Sequence, residues 1–98
     1  MDMHCEATSR LFDAILKLEN VDDCYRFFED LCTIKELRDL SQRFQIATLL
    51  DQGMNYQSIV RTVDTSTTTI SRVNQCLNYG SGGYRAVLDK MNAAKEAQ

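Results

Sequence analysis

The sequence predicts an all-α fold, a single small domain made of a string of helices. Apolar residues recur at helical spacing nearly everywhere, and no stretch alternates long enough to suggest a sheet. There is no proline, so nothing forces a helix to stop or kink, and only four glycines interrupt the chain. The length of 98 residues rules out two independent cores. A monomer of this size buries only about 60–65% of the surface its unfolded chain exposes, so a core shared between two copies becomes attractive.

The elements follow in order. Leu11, Phe12, Ile15 and Leu16 stripe a first helix, from about Ser9 to Leu18. Asn20 and Val21 punctuate it, and Asp22 or Asp23 can cap a second helix. On that helix Cys24, Phe27, Phe28, Leu31 and Cys32 share an apolar face that is broad for so short a domain. Thr33-Ile34-Lys35-Glu36 has the form of a capping box, in which the threonine hydroxyl and the glutamate carboxylate satisfy each other's backbone amides. It opens a long third helix striped by Leu37, Leu40, Phe44, Ala47 and Leu50, which stops at Asp51-Gln52-Gly53. Asn55 can cap a fourth helix, Tyr56 to about Val63. Asp64-Thr65-Ser66 breaks the pattern, and Thr65 or Ser66 can cap a fifth helix running to about Leu77. Asn78-Tyr79-Gly80-Ser81-Gly82-Gly83 reads as a flexible loop, and Tyr84, Val87, Leu88 and Met91 stripe a last helix. Frayed tails are expected over residues 1–7 and 92–98.

Composition excludes several classes. An apolar fraction of 44% and a charged fraction of 26% are ordinary globular values, not those of a disordered chain. No apolar run reaches the roughly 18–20 residues of a membrane span, and the N-terminus lacks a basic n-region followed by an apolar stretch. These features point to a cytoplasmic protein. Cys5, Cys24, Cys32 and Cys76 form no CxxC pair and His4 is the only histidine, so no metal site is expected. An enzyme is equally unsupported. His4 stands near the terminus, no nucleophile has a histidine base near it in sequence, and no Gly-rich phosphate loop follows a strand.

Net charge is −3, but it is unevenly distributed. Residues 1–31 carry three Lys/Arg against eight Asp/Glu, a balance of −5, whereas residues 32–98 carry eight against six, a balance of +2. The later segment can therefore face a phosphate backbone.

The most informative stretch is about 55–78. Two short helices are joined by a turn of about three residues, and Ile59, Val63, Ile70 and Val73 can hold them crossed, the packing requirement of a helix-turn-helix. What remains on the second helix is short and polar: Thr67, Thr68, Thr69, Ser71, Arg72, Asn74 and Gln75. Hydroxyls and free amides at a helix N-terminus suit phosphate oxygens. Asn and Gln can read adenine, Arg can read guanine, and threonine methyls can meet thymine methyls. A merely solvated helix more often carries Glu and Lys, the better helix formers. Arg61, on the preceding helix, is a further phosphate-contact candidate. The competing reading is a helical protein–protein interaction module that uses the same apolar faces and no DNA.

Two strings carry a resemblance. Residues 24–36, Cys-Tyr-Arg-Phe-Phe-Glu-Asp-Leu-Cys-Thr-Ile-Lys-Glu, and residues 69–74, Thr-Ile-Ser-Arg-Val-Asn, with Cys76-Leu77-Asn78-Tyr79-Gly80, resemble the Trp repressor family, and within it the YerC/YecD-like branch. Leu40, Arg43 and Ile46 fit the same pattern, and the likeness covers about residues 9–91. It implies an interwoven all-helical homodimer, each subunit carrying a helix-turn-helix, that acts on double-stranded DNA as a transcriptional regulator, with repression the expected sense. It also implies an effector pocket, because Arg43 and Arg72 match the two arginines that sandwich the corepressor and Thr33 matches a threonine lining the same pocket. Two departures argue against tryptophan as the effector. Val73 stands where the repressor has a glycine beside the ligand, and Cys76 where it has a serine. Bland alternatives remain for the arginines: Arg43 can pair with Asp39 on its own helix, and Arg72 can contact phosphate.

Overall fold

Six α-helices and no strand make up the described residues, 4–96, in a computed structural model of the chain. They are α1 (Glu6–Ile15), α2 (Val21–Leu31), α3 (Ile34–Asp51), α4 (Tyr56–Val63), α5 (Thr67–Tyr79) and α6 (Gly83–Glu96). The chain divides into two units, with the boundary inside α3 between Leu37 and Arg38.

In the first unit, side-chain caps open α2 and α3, while α1 opens without one. α1 starts earlier than the apolar stripe alone predicts, because Cys5 adopts an extended N-cap conformation. It also ends earlier, at Ile15, where the amides of Lys17 and Leu18 bond to the carbonyls of Ala14 and Ile15 in tight three-residue turns. The cap of α2 is Asn20 rather than Asp22 or Asp23. The Asn20 side chain accepts from the Asp23 amide at 2.8 Å, and the Asp23 carboxylate reaches back to the Glu19 amide at 3.1 Å. The capping box that opens α3 forms as expected: Thr33 N–H donates to Glu36 Oε1 at 2.8 Å, and Glu36 N–H to Thr33 Oγ1 at 3.1 Å. The Thr33 backbone amide first, and the Thr33 hydroxyl after it, hold the Glu36 carboxyl below its usual range. Neither α1 nor α2 contains a buried residue. Leu16 and Ile34 are each 80% exposed, and Phe12, Val21 and Tyr25 also face outward.

The second unit has a closed core. Ile46 and Ala47 of α3, Ile59 of α4, Ile70 and Val73 of α5 and Leu88 of α6 are all buried and form one cluster. Ile46 lies outside the predicted α3 stripe, yet it is fully buried, whereas Leu40 within the stripe is exposed. Phe44 and Tyr84 stack beside the cluster with ring centroids 6.5 Å apart, and Leu50, Val63 and Leu77 pack against it. Gly53 takes the left-handed conformation after α3, with φ +86°. α5 runs through Asn78 and Tyr79 of the expected loop, Asn78 being tied back to Asn74, and stops at Gly80, where a Cβ would lie 2.3 Å from the Cys76 carbonyl oxygen. α6 extends past Asn92 into the expected tail. It continues to Glu96 through the good helix formers Ala93 and Ala94, with Lys95 complementing the dipole of the last turn. At the other end α1 is already formed at Glu6, within the stretch expected to fray, while residues 1–3 and 97–98 of the predicted tails lie outside the described residues. A polar clamp secures α6. Asp51 at the end of α3 takes Arg85 at 2.7 Å and Asn92 at 3.2 Å, while Arg85 also bonds Asp89 at 2.9 Å. No helix among the described residues is long and apolar enough to cross a membrane.

Candidate nucleic-acid interface

The helix pair α4–α5 is built by two caps and one left-handed turn. Asn55 Oδ1 accepts from the Ser58 amide at 2.9 Å, which starts α4. Asp64 ends it in the left-handed region, φ 54° and ψ 62°, a conformation that Asp tolerates better than most residues. Three residues, Asp64 to Ser66, then separate the helices. Ser66 caps α5: its Oγ accepts from the Thr69 amide at 3.2 Å and lies 3.1 Å from the Thr69 hydroxyl.

Burial sorts the polar residues of α5. Ile70 and Val73 point into the core. Thr67, Thr68, Ser71, Arg72 and Gln75 are exposed, and Thr68, Ser71, Arg72, Gln75 and Cys76 line one shallow depression along the helix. Thr69 and Asn74 behave differently. Both are half-buried, the Thr69 hydroxyl is engaged with Ser66, and the Asn74 side chain accepts from Asn78 Nδ2 at 2.9 Å. Arg61 is exposed in the last turn of α4. Among the described residues, Arg43, Arg61 and Arg72 make no ion pair, so the alternative pairing of Arg43 with Asp39 does not form. Three cations are therefore available to an anionic partner.

A cleft of about 430 Å³ opens between α3, α5 and the start of α6. Asp39, Gln42 and Arg43 come from α3; Thr69, Arg72, Val73 and Cys76 come from α5; Tyr84 comes from α6. Arg43 and Arg72, read together from sequence, thus line one cavity, and Val73 and Cys76 occupy its wall as well. Thr33 serves as the cap of α3, with its hydroxyl committed to the Glu36 amide. Gln42 is not marked by any sequence signal, and Asp39 and Tyr84 are read there as a partner of Arg43 and a core-stripe residue, not as members of a cleft. They lie 30 or more positions from Arg72 or on another helix, and no local pattern brings them to it. Gln42 does more than line the cleft: its Nε2 donates to the carbonyls of Val63 and Asp64, each at 3.4 Å.

Comparison with known families decides what this architecture is. Residues 6–92 match the family model of the Trp repressor protein. The chain belongs to the Trp repressor family. This is a family of DNA-binding transcriptional regulators, and membership extends over both units and all six helices. Among curated proteins, the chain is similar to the uncharacterised protein YerC of Bacillus subtilis (strain 168), with 48% identity over 82 residues, covering 84% of this chain and 79% of that protein. Among solved structures it is similar to a TrpR-like protein from Eubacterium eligens ATCC 27750, with 46% identity and a TM-score of 0.88 over 92% of this chain and 93% of that one. A candidate Trp repressor from Staphylococcus aureus matches equally, with 46% identity and a TM-score of 0.88 over 94% and 95% of the two chains. The fold is therefore the all-helical Trp repressor-like one.

Proposed function

We propose that the chain is a sequence-specific transcriptional repressor that reads double-stranded DNA as a homodimer, with α4–α5 as its helix-turn-helix and α5 as the reading helix. The observation that carries this is the division of α5 into two faces, with Ile70 and Val73 inside and Thr67, Thr68, Ser71, Arg72 and Gln75 outside. Short hydroxyl and amide side chains on the outer face suit base edges and phosphates, and Arg61 adds a backbone contact from α4. Thr69 and Asn74 are secondary contacts, since each is half-buried and already shares a hydrogen bond, with Ser66 and Asn78 respectively. Two α5 helices about 34 Å apart would meet successive turns of one face of the duplex, so the site is palindromic.

The second copy is what the exposed apolar residues of the first unit call for. Leu16, Ile34, Val21, Phe12 and Tyr25 gain nothing from water, and obligate interfaces of this kind commonly bury more than about 2,000 Å² in total. The cleft between Arg43 and Arg72 is the effector pocket of this reading, its ligand an anion or carboxylate-bearing small molecule. Tryptophan is disfavoured, because the Val73 isopropyl group and Cys76 stand in the wall.

An electrophoretic shift with random genomic fragments tests the proposal without knowledge of the operator. The expected result is retention of a small subset of fragments at concentrations where bulk fragments run free. Absence of any shift, or uniform retention of all fragments, would transfer the exposed faces to the interaction-module reading.

A further inference from the structure

The amide of Gln42 is a side chain on α3 that reaches the turn between α4 and α5. It is half-buried in the wall of the cleft, and its Nε2 lies 3.4 Å from both the Val63 and the Asp64 carbonyl oxygens. Those carbonyls stand at the C-terminal end of α4, where backbone acceptors run out of intrahelical donors and the helix dipole is negative. One NH2 group carries two hydrogens, enough to serve both acceptors. The turn it holds has only three residues, and one of them, Asp64, is in the left-handed region. In so short a link the direction of α5 depends on the dihedral angles of Asp64, Thr65 and Ser66. The core contacts of Ile70 and Val73 hold α5 against the domain, but buried aliphatic groups are weakly directional and tolerate a small rotation.

We propose that Gln42 is a positioning residue for the reading helix: by bonding the end of α4 and the left-handed turn to α3, it fixes the angle at which α5 meets the base edges. This rests on the DNA-reading function proposed above. Gln42 touches no base and carries no charge, so its loss affects discrimination between sequences and leaves the sequence-independent phosphate term alone. It also borders the cleft containing Arg43 and Arg72, so the group that aims α5 stands in the wall where an effector would sit.

The test uses the full-length protein and a site selected by the wild type from random duplexes. Gln42→Met keeps the length of the side chain without a donor, and Gln42→Asn keeps an amide but withdraws it by one methylene. Both are expected to lower affinity for the selected site by about tenfold or more while leaving affinity for random DNA within about twofold. Amide hydrogen exchange at Thr65 and Ser66 should quicken in both, with the exchange of Ile59 and Ile70 unchanged. Loss of affinity for both DNAs in equal measure would make Gln42 a merely structural residue and overturn the proposal, as would an unchanged preference in either variant. If the wild type itself selects no site, the DNA-reading proposal fails and not this one alone.

Discussion

The segment up to Leu37 and the segment from Arg38 on use the same helical elements but complete them differently. The first bonds the caps of α2 and α3 through Asn20, Asp23, Thr33 and Glu36, yet buries no side chain in α1 or α2. The second, with fewer exposed large apolar groups, closes a core of six buried residues drawn from four helices. Local hydrogen bonding is thus enough to specify helices but not to bury them. The first segment is also where the acidic excess lies, −5 over residues 1–31, while the second holds the free cations Arg43, Arg61 and Arg72. In the function proposed above, the first segment serves association and the second meets the nucleic acid.

The largest expected effect sharpens that contrast. Ile59→Ala removes a fully buried side chain from the closed core, at a cost of about 2–5 kcal/mol in urea denaturation. Leu16→Lys, at a position 80% exposed within the chain, should act instead on self-association, raising the dimer dissociation constant in sedimentation by about tenfold or more. Were Leu16→Lys silent in sedimentation, the exposed face of α1 would not be the interface.

A smaller effect concerns the clamp on α6. The Arg85 guanidinium hydrogen bond holds the Asp51 carboxyl below its ordinary range, with help from Asn92 and against partial burial. A carboxylate depressed in the folded state stabilises it above the unfolded pKa, about 3.9, and that contribution is lost as pH falls through the lower, folded pKa. Arg85→Ala should therefore lower the melting temperature at neutral pH, and the gap to wild type should close as the pH is taken below about 4. A gap that stays constant with pH would mean that Arg85 acts through packing alone.

Much of this was legible in the sequence because it is local. The Thr33–Glu36 box, the Asn55 and Ser66 caps and the stop at Gly53 each rest on residues within a few positions, and each appears in the structure as read. The boundaries of α1 were displaced because its end is made by three-residue turns that no side chain signals. Asn20 is hard to tell from sequence as the cap because two acids follow it, and in the structure the Asp23 carboxylate accepts instead from the preceding amide of Glu19. Ile46 lies outside the predicted stripe because it joins a cluster with residues of α4, α5 and α6, whose positions no spacing within α3 can reveal. The pairing of Arg43 with Arg72 follows from family likeness, whereas Asp39 and Gln42, neighbours of Arg43 on α3, meet Arg72 and Tyr84 only through packing of α3 with α5 and α6.

The central claim is that the exposed face of α5 reads bases while cations beside it hold the backbone, and one comparison tests it directly. On a selected site, the logarithm of affinity should fall with the logarithm of salt at a slope of about −4 to −5 for a dimer that engages two to three charges per subunit. Arg61→Ala should make that slope shallower by about two, with sequence preference kept. Gln75→Ala should leave the slope alone and relax preference at one base position, costing about 1–3 kcal/mol there. If both substitutions weaken all sequences alike, or neither has any effect, α5 is not a reading helix and its polar face is ordinary surface.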